Sequence, residues 1–205
     1  DGSTDNSLEI LNSYVKQIKI IKQNNQGPAA ARNKGIEKAT GKYLAFLDAD
    51  DYWNPAFLQE TVVFLEKNDT IAVSVAQIHE IPGKSSIVSP KFLSTNQNTL
   101  QTPIVLDDFY VFWGKNNHVC TGSVLMLTGV VKQTGGQRID LLIAEDLEFW
   151  AYLATYGKWG FIPKVLLITD GGLSVEKNGY LKKNKKRWNN APSVENWESR
   201  ILLNI

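Results

Sequence analysis

Apolar residues along this chain change spacing several times, and each change predicts an element. Ser3, Thr4 and Asp5 are capping residues in front of a helix expected over Ser7–Tyr14. Lys16–Lys22 alternates in part, and Ile18, Ile20 and Ile21 predict a short strand. Asn24-Asn25-Gln26-Gly27 is a turn sequence. Pro28 suits the first position of a helix, Ala29–Ala39 has helix-forming composition, and Gly41 fits just past its end. The unbroken run Tyr43–Leu47 predicts a buried strand. Pro55 opens a further helix with Leu58, Val62 and Leu65 on one face, and Ile71–Ala76 returns as a strand. This α-β-α-β-α-β alternation predicts a mainly parallel sheet with helices on its faces. In such sheets ligands bind beyond the carboxyl ends of the strands.

The region from Glu80 to Asn117 is less regular, with a short strand expected near Ser86–Ser89 and a helix near Asp107–Trp113. Thr121–Leu127 reads as a strand, Gly135-Gly136 as a turn, and Ala144–Tyr156 as a helix with Leu147, Trp150, Ala151 and Ala154 on one face. Trp159–Ile162 and Val165–Ile168 read as two strands around Pro163. The tail crowds Lys177, Lys182, Lys183, Lys185, Lys186 and Arg187 among Tyr180, Leu181 and Trp188, and Trp197, Ile201, Leu202 and Ile205 suggest a C-terminal helix.

Composition narrows the function classes. A 43% hydrophobic fraction over 205 residues supports a sizeable core. A net charge of +1 gives no global field for nucleic acid. The single cysteine, Cys120, excludes an internal disulfide, fits a reducing compartment, and reads as a small buried hydrophobe. No apolar run reaches the length of a membrane span.

The candidate chemistry starts where the Tyr43–Leu47 strand ends. Asp48, Asp50 and Asp51 crowd together there, and crowded carboxylates favour a hard divalent cation such as Mg²⁺ or Mn²⁺, with substrate phosphates as further ligands. An EF-hand loop is excluded because its sixth position, counted from Asp48, is Trp53 rather than glycine. A phosphoaspartyl site lacks its supporting loops. Three other strings each have an ordinary structural reading. Asp1-Gly2-Ser3-Thr4-Asp5 is a turn and cap, Arg32 in Gly27–Ile36 is a helix residue, and Glu145-Asp146 at a helix start complements the dipole. His79 and His118 carry no assigned role.

Taken in order, these four motifs resemble family 2 glycosyltransferases, the inverting nucleotide-sugar enzymes of GT-A fold. The resemblance runs from Asp1 to about Ile168. It implies an α/β, Rossmann-like GT-A domain over residues 1–175, with a nucleotide-binding part at 1–76 and an acceptor-side part at 77–175, followed by a basic and aromatic tail at 176–205. It also implies that Asp50 and Asp48 hold Mg²⁺ or Mn²⁺, that Asp1 and Arg32 flank the nucleotide, and that Gly122 lies near the donor sugar. Asp146 takes the catalytic-base position, with Glu145 as its near alternative. The implied partners are a nucleotide-diphospho sugar donor and a saccharide or lipid-linked acceptor, with no nucleic acid, in the cytoplasm of a bacterium making surface polysaccharide. The basic tail is either a solubilising segment or a peripheral contact with anionic lipid at the inner face of the membrane. The family places a strand-helix-strand unit of roughly 30 to 40 residues before the Asp-Gly-Ser turn, so an upstream segment lining the base pocket is expected. Two alternatives stand beside this reading: a sugar-phosphate nucleotidyltransferase, and a non-catalytic nucleotide-sugar or polysaccharide binding module.

Overall fold

A computed structural model describes residues 1–80, 86–94, 100–141 and 143–169, together with residues 185, 189, 197, 200 and 201. In chain order the elements are α1 (Ser7–Asn12), α2 (Pro28–Lys38), β1 (Tyr43–Ala45), β2 (Tyr52–Trp53), α3 (Phe57–Lys67), β3 (Ala72–His79), β4 (Ile87–Ser89), β5 (Ile104–Val105), α4 (Phe109–Asn116), β6 (Val124–Leu127), α5 (Thr128–Gln133), α6 (Glu145–Ala154) and β7 (Trp159–Thr169). Short 3₁₀ turns at Lys91–Ser94 and Thr121–Ser123 complete the set.

The strands form one sheet in the order β1-β6-β3-β7-β2, with β4 beside β3 and β5 beside β7. β3 and β7 pair in parallel from Ala72↔Trp159 to His79↔Thr169. β6 runs antiparallel between β1 and β3, so β1, β3 and β7 all point the same way. The α/β class therefore holds, while the described neighbouring pairs are mostly antiparallel, because β6 is inserted among strands of common direction and the short strands β2, β4 and β5 also pair antiparallel with β3 or β7.

The core lies on both faces of this sheet, and side-chain alternation along β3 sorts it. Ala72 and Ala76 face Phe149, Trp150 and Leu153 of α6, with Phe109, Trp159 and Phe161. Val73 and Val75 face Phe57, Phe64 and Leu65 of α3, with Ile162 and Leu167. Burying each large side chain contributes about 1.5–3 kcal/mol.

Several local expectations are corrected. Ile18–Ile21 forms no strand, because no described strand lies beside it to complete a ladder, and Ile18 stays exposed. The core face of α3 is Phe57, Thr61, Phe64 and Leu65, and Leu58 points to solvent. On α6 the buried set is Glu148, Phe149, Trp150, Ala151 and Leu153, while Leu147 is only half-buried. β7 is a single strand. Val75 pairs with Ile162 and Ala76 with Val165, so Pro163 and Lys164 bulge out, which suits a residue with no amide to donate. β1 stops at Ala45, and the first three residues of the expected Thr121–Leu127 strand form a 3₁₀ turn. The tail lies outside the described residues except for positions 185, 189, 197, 200 and 201.

Two packing features carry particular weight, one at a turn and one in the core. The turn after α5 uses Gly135 at φ 76° and Gly136 at φ 86°, which an L side chain rarely adopts. Just beyond it, the side chain of Asn33 on α2 clamps the backbone of Gln137: Asn33 Nδ2 donates to the Gln137 carbonyl at 2.7 Å, and the Gln137 amide donates to Asn33 Oδ1 at 2.7 Å. A β-carbon at Gly136 would collide with Asn33 Oδ1. The core feature is His118, which is 1% exposed among Phe109, Phe112 and Phe161, with neither ring nitrogen hydrogen-bonded.

Two outcomes are expected. Gly136→Ala destabilises the fold by about 1–3 kcal/mol through backbone strain alone, read as a lower urea midpoint at unchanged slope. Burial holds the His118 imidazole down to about 3. The unfolded chain therefore binds a proton as pH falls below about 6.5 while the folded chain does not, and stability declines from there towards pH 3. His118→Leu removes this part of the acid sensitivity, on the order of 2 kcal/mol at pH 5, read as the difference between urea unfolding at pH 7 and pH 5.

Candidate active site

β1 carries the chain to the edge of the sheet, and the carboxylates appear as it leaves the core. Leu44 is buried, whereas Asp50 is exposed. That gradient is expected, since an unpaired buried carboxylate is costly. The Asp51 amide donates to the Asp48 carbonyl at 3.1 Å, closing a tight turn that holds Asp48, Ala49, Asp50 and Asp51 together. β2 then runs back along β7, with Tyr52 opposite Ile168 and Trp53 opposite Leu167.

α2 approaches the same edge. Gly27 at φ 88° turns the chain into Pro28, the first helical residue, and buried Ala29 and Ile36 fix the helix rotation. That rotation puts Arg32 over the exit of β1. Its Nη2 donates to Asp48 Oδ1 at 3.1 Å, and its Nη1 lies 3.6 Å from Glu145 Oε1 and 3.4 Å from Gln137 Oε1. The side chains of Arg32 and Glu145 are 15% and 13% exposed, against 45% for Asp48. A planar guanidinium can satisfy several acceptors at once in this way.

α6 supplies the second pair of acids. Ala144 takes a left-handed conformation, φ 63°, at the entry to the helix, and Glu145, Asp146 and Glu148 occupy its first turn, where the dipole favours negative charge. Glu145 turns towards Arg32, while Asp146 Oδ1 accepts the Leu147 amide at 2.9 Å.

An open cleft of about 640 Å³ spans this edge, with Asp1, Asn25, Arg32, Phe46 and Asp48 in its wall. Asp1 builds that wall: its Oδ1 accepts from Gln23 Nε2 at 2.8 Å and the Gln26 amide at 2.9 Å, and its Oδ2 accepts from the Gly27 amide at 3.1 Å. The structure thus brings Arg32, Asp48 and Glu145 into contact, with Asp1 on the same cleft. It keeps Asp50 on the Asp48 turn and Asp146 beside Glu145. Gly122 is drawn into packing: a β-carbon there would come within 2.8 Å of Leu167 Cδ1, and its carbonyl accepts from Trp53 Nε1 at 2.7 Å.

Asp48 and Asp50 offer hard oxygen donors of the kind Mg²⁺ or Mn²⁺ takes. Among the described residues no group of three or more His, Cys, Asp or Glu side chains comes together to hold a metal ion.

Asn33, Gly136 and Gln137 belong to the site's support, a role that sequence reasoning misses. The turn glycines are visible in sequence, but the partner across 104 residues is not.

The chain is similar in sequence and in fold to several known proteins. An uncharacterized glycosyltransferase of Haemophilus influenzae is 45% identical over 75 residues, covering 35% of this chain and 30% of that protein. A second Haemophilus influenzae protein with the same description is 28% identical over 175 residues, covering 82% of this chain and 53% of that one. The putative glycosyltransferase EpsH of Bacillus subtilis is 38% identical over 89 residues, covering 42% of this chain and 26% of that protein. The chain thus spans less than two thirds of the length of these relatives. Among solved structures, S. aureus TarS 1-349 in complex with UDP superposes with a TM-score of 0.61 at 17% identity, covering 98% of this chain and 58% of that one. The same protein in complex with UDP-GlcNAc gives 0.62 at 16%, covering 98% and 59%. These likenesses establish a GT-A glycosyltransferase fold. The family model described as glycosyl transferase family 2 matches residues 1–129, and the chain belongs to that family.

Proposed function

We propose that the protein transfers a sugar from a nucleotide-diphospho sugar to an acceptor hydroxyl with inversion, with Mg²⁺ or Mn²⁺, in the cytoplasmic assembly of a bacterial surface polysaccharide. The observation that carries this reading is Arg32, which lines the open cleft together with Asp48 and also reaches Glu145 at the start of α6. UDP and UDP-GlcNAc, bound by the TarS structures, support a nucleotide-sugar donor. No described helix is long and apolar enough to cross a membrane.

The residues divide the work. A sugar hydroxyl is a weak nucleophile near neutral pH, and Asp146 takes its proton as the oxygen bonds to the anomeric carbon. The bond from that carbon to the diphosphate oxygen breaks in the same displacement, and the nucleoside diphosphate leaves with the electron pair. Glu145 is the near alternative as base. Arg32 places positive charge beside the departing diphosphate, in the geometry suited to paired phosphate oxygens. Asp48 and Asp50 hold the divalent cation, which when bound neutralises charge on the leaving group. Asp1 holds the 23–27 turn against which the nucleotide lies.

In the intact protein, Asp146→Asn is expected to lower kcat by about 10²–10⁴ while leaving UDP affinity nearly unchanged, measured by turnover of a UDP-sugar and by calorimetry. Full turnover in this variant would remove Asp146 from the role of base. Asp50→Asn should instead abolish the dependence of UDP binding on Mn²⁺, read as equal binding heats with and without the ion.

A further inference from the structure

The proposed sugar transfer leaves one buried charge unused. Glu148 lies one turn beyond Glu145 on α6, and its side chain is fully buried. Burial pushes its carboxyl above the usual range, and the positive charges of Arg200 and Arg138 pull it back. Arg200 reaches it from 52 residues along the chain, with Nη1 at 3.2 Å and 3.4 Å from the two carboxylate oxygens.

Arg200 does more than neutralise Glu148. Its Nη2 donates to two backbone carbonyls, Thr134 at 2.6 Å and Gly136 at 2.8 Å. Its guanidinium also lies over the Tyr152 ring, 3.9 Å from the centroid, an arrangement that adds cation–π attraction. The two carbonyls flank the glycine turn that leads into Gln137. From Gln137 the contacts continue through its backbone to Asn33 and through its side chain to Arg32. Arg32 in turn meets Asp48 and Glu145. The guanidinium of Arg200 is thus separated from that of Arg32 by the single turn 134–137.

We propose that Arg200 is a positioning residue, holding the Gly136–Gln137 turn so that Asn33 and Arg32 are set at the donor cleft. A lysine could neutralise Glu148, but a single ammonium does not reproduce a planar fork that meets a carboxylate and two carbonyls together. The geometry therefore separates two tasks, charge balance and hold on the turn. The positioning claim stands on contacts within the chain, and only its consequence for the donor rests on the proposed sugar transfer.

The test compares the parent protein, Arg200→Lys and Arg200→Ala, with Lys164→Ala as a surface control. Amide hydrogen exchange is read at Gly136, whose amide donates to Thr134 Oγ1, at Gln137, whose amide donates to Asn33 Oδ1, and at Val73 and Val75 in β3. In Arg200→Lys the exchange of Gly136 and Gln137 should accelerate about tenfold, with Val73 and Val75 unchanged. Arg200→Ala should show the same pattern more strongly, together with a lower Tm. In the second arm, KM for a UDP-sugar should rise about tenfold in Arg200→Lys with kcat within about twofold. Unchanged exchange at Gly136 and Gln137 in folded Arg200→Lys overturns the proposal, as does uniform acceleration that includes β3, which marks general destabilisation. If the parent binds and turns over no UDP-sugar, the sugar-transfer reading fails, and the exchange arm still decides the role of Arg200.

Discussion

The parallel pairing of β3 with β7 is the constraint on which the rest of the molecule depends. Both faces of that pair are filled, by α6 and its aromatic neighbours on one side and by α3 on the other. Strands buried on both faces cannot slip by one residue without exchanging their two sets of side chains. The direction of β3 and β7 also fixes that of β1 through β6. The carboxyl ends of all three therefore share one edge, and Asp48–Asp51 emerges there for that reason.

What α2 and α6 add at this edge is charge in register. Neither helix supplies a self-sufficient site: Arg32 needs acceptors, and the first turn of α6 has an excess of acid. Each resolves the other's imbalance, with Asp48 sharing the arginine. The support behind them is made of backbone carbonyls and amides around Gly136 and Gln137, groups whose geometry varies less than that of long side chains. A site built this way has its rigid parts at the back and its exposed acids, Asp48 and Asp50, at the mouth.

Much of this architecture is legible in the chain itself. Tyr43–Leu47 announces a strand ending in acids, although only Leu44 of that run is buried and Leu47 is exposed; Pro28 and Pro55 mark helix starts, and the order of four motifs points to the family. The failures have physical causes. Ile18–Ile21 has the composition of a strand, but a strand exists only with a partner beside it. The pattern Leu58, Val62, Leu65 satisfies helical spacing, yet Phe57, Thr61, Phe64 and Leu65 satisfy it too, and bulk decides which set goes inside. Pro163 looks like a break because a proline cannot donate, but a bulge removes that need. The partners of Asn33 and Glu148 lie 104 and 52 residues away, and no local pattern encodes such pairings.

Cys120 has a practical consequence. It is the single cysteine in the sequence, its thiol is turned to Gln77 Oε1, and burial pushes it up to about 11. Near neutral pH almost none of it is thiolate, the form that attacks alkylating reagents. The natural chain is therefore already a nearly silent background for site-directed labelling. A cysteine placed at an exposed position such as Ala49, on the acidic turn, would react with a fluorophore or spin label ahead of the native thiol. The surroundings of the acidic turn could then be followed in solution without first deleting the native cysteine.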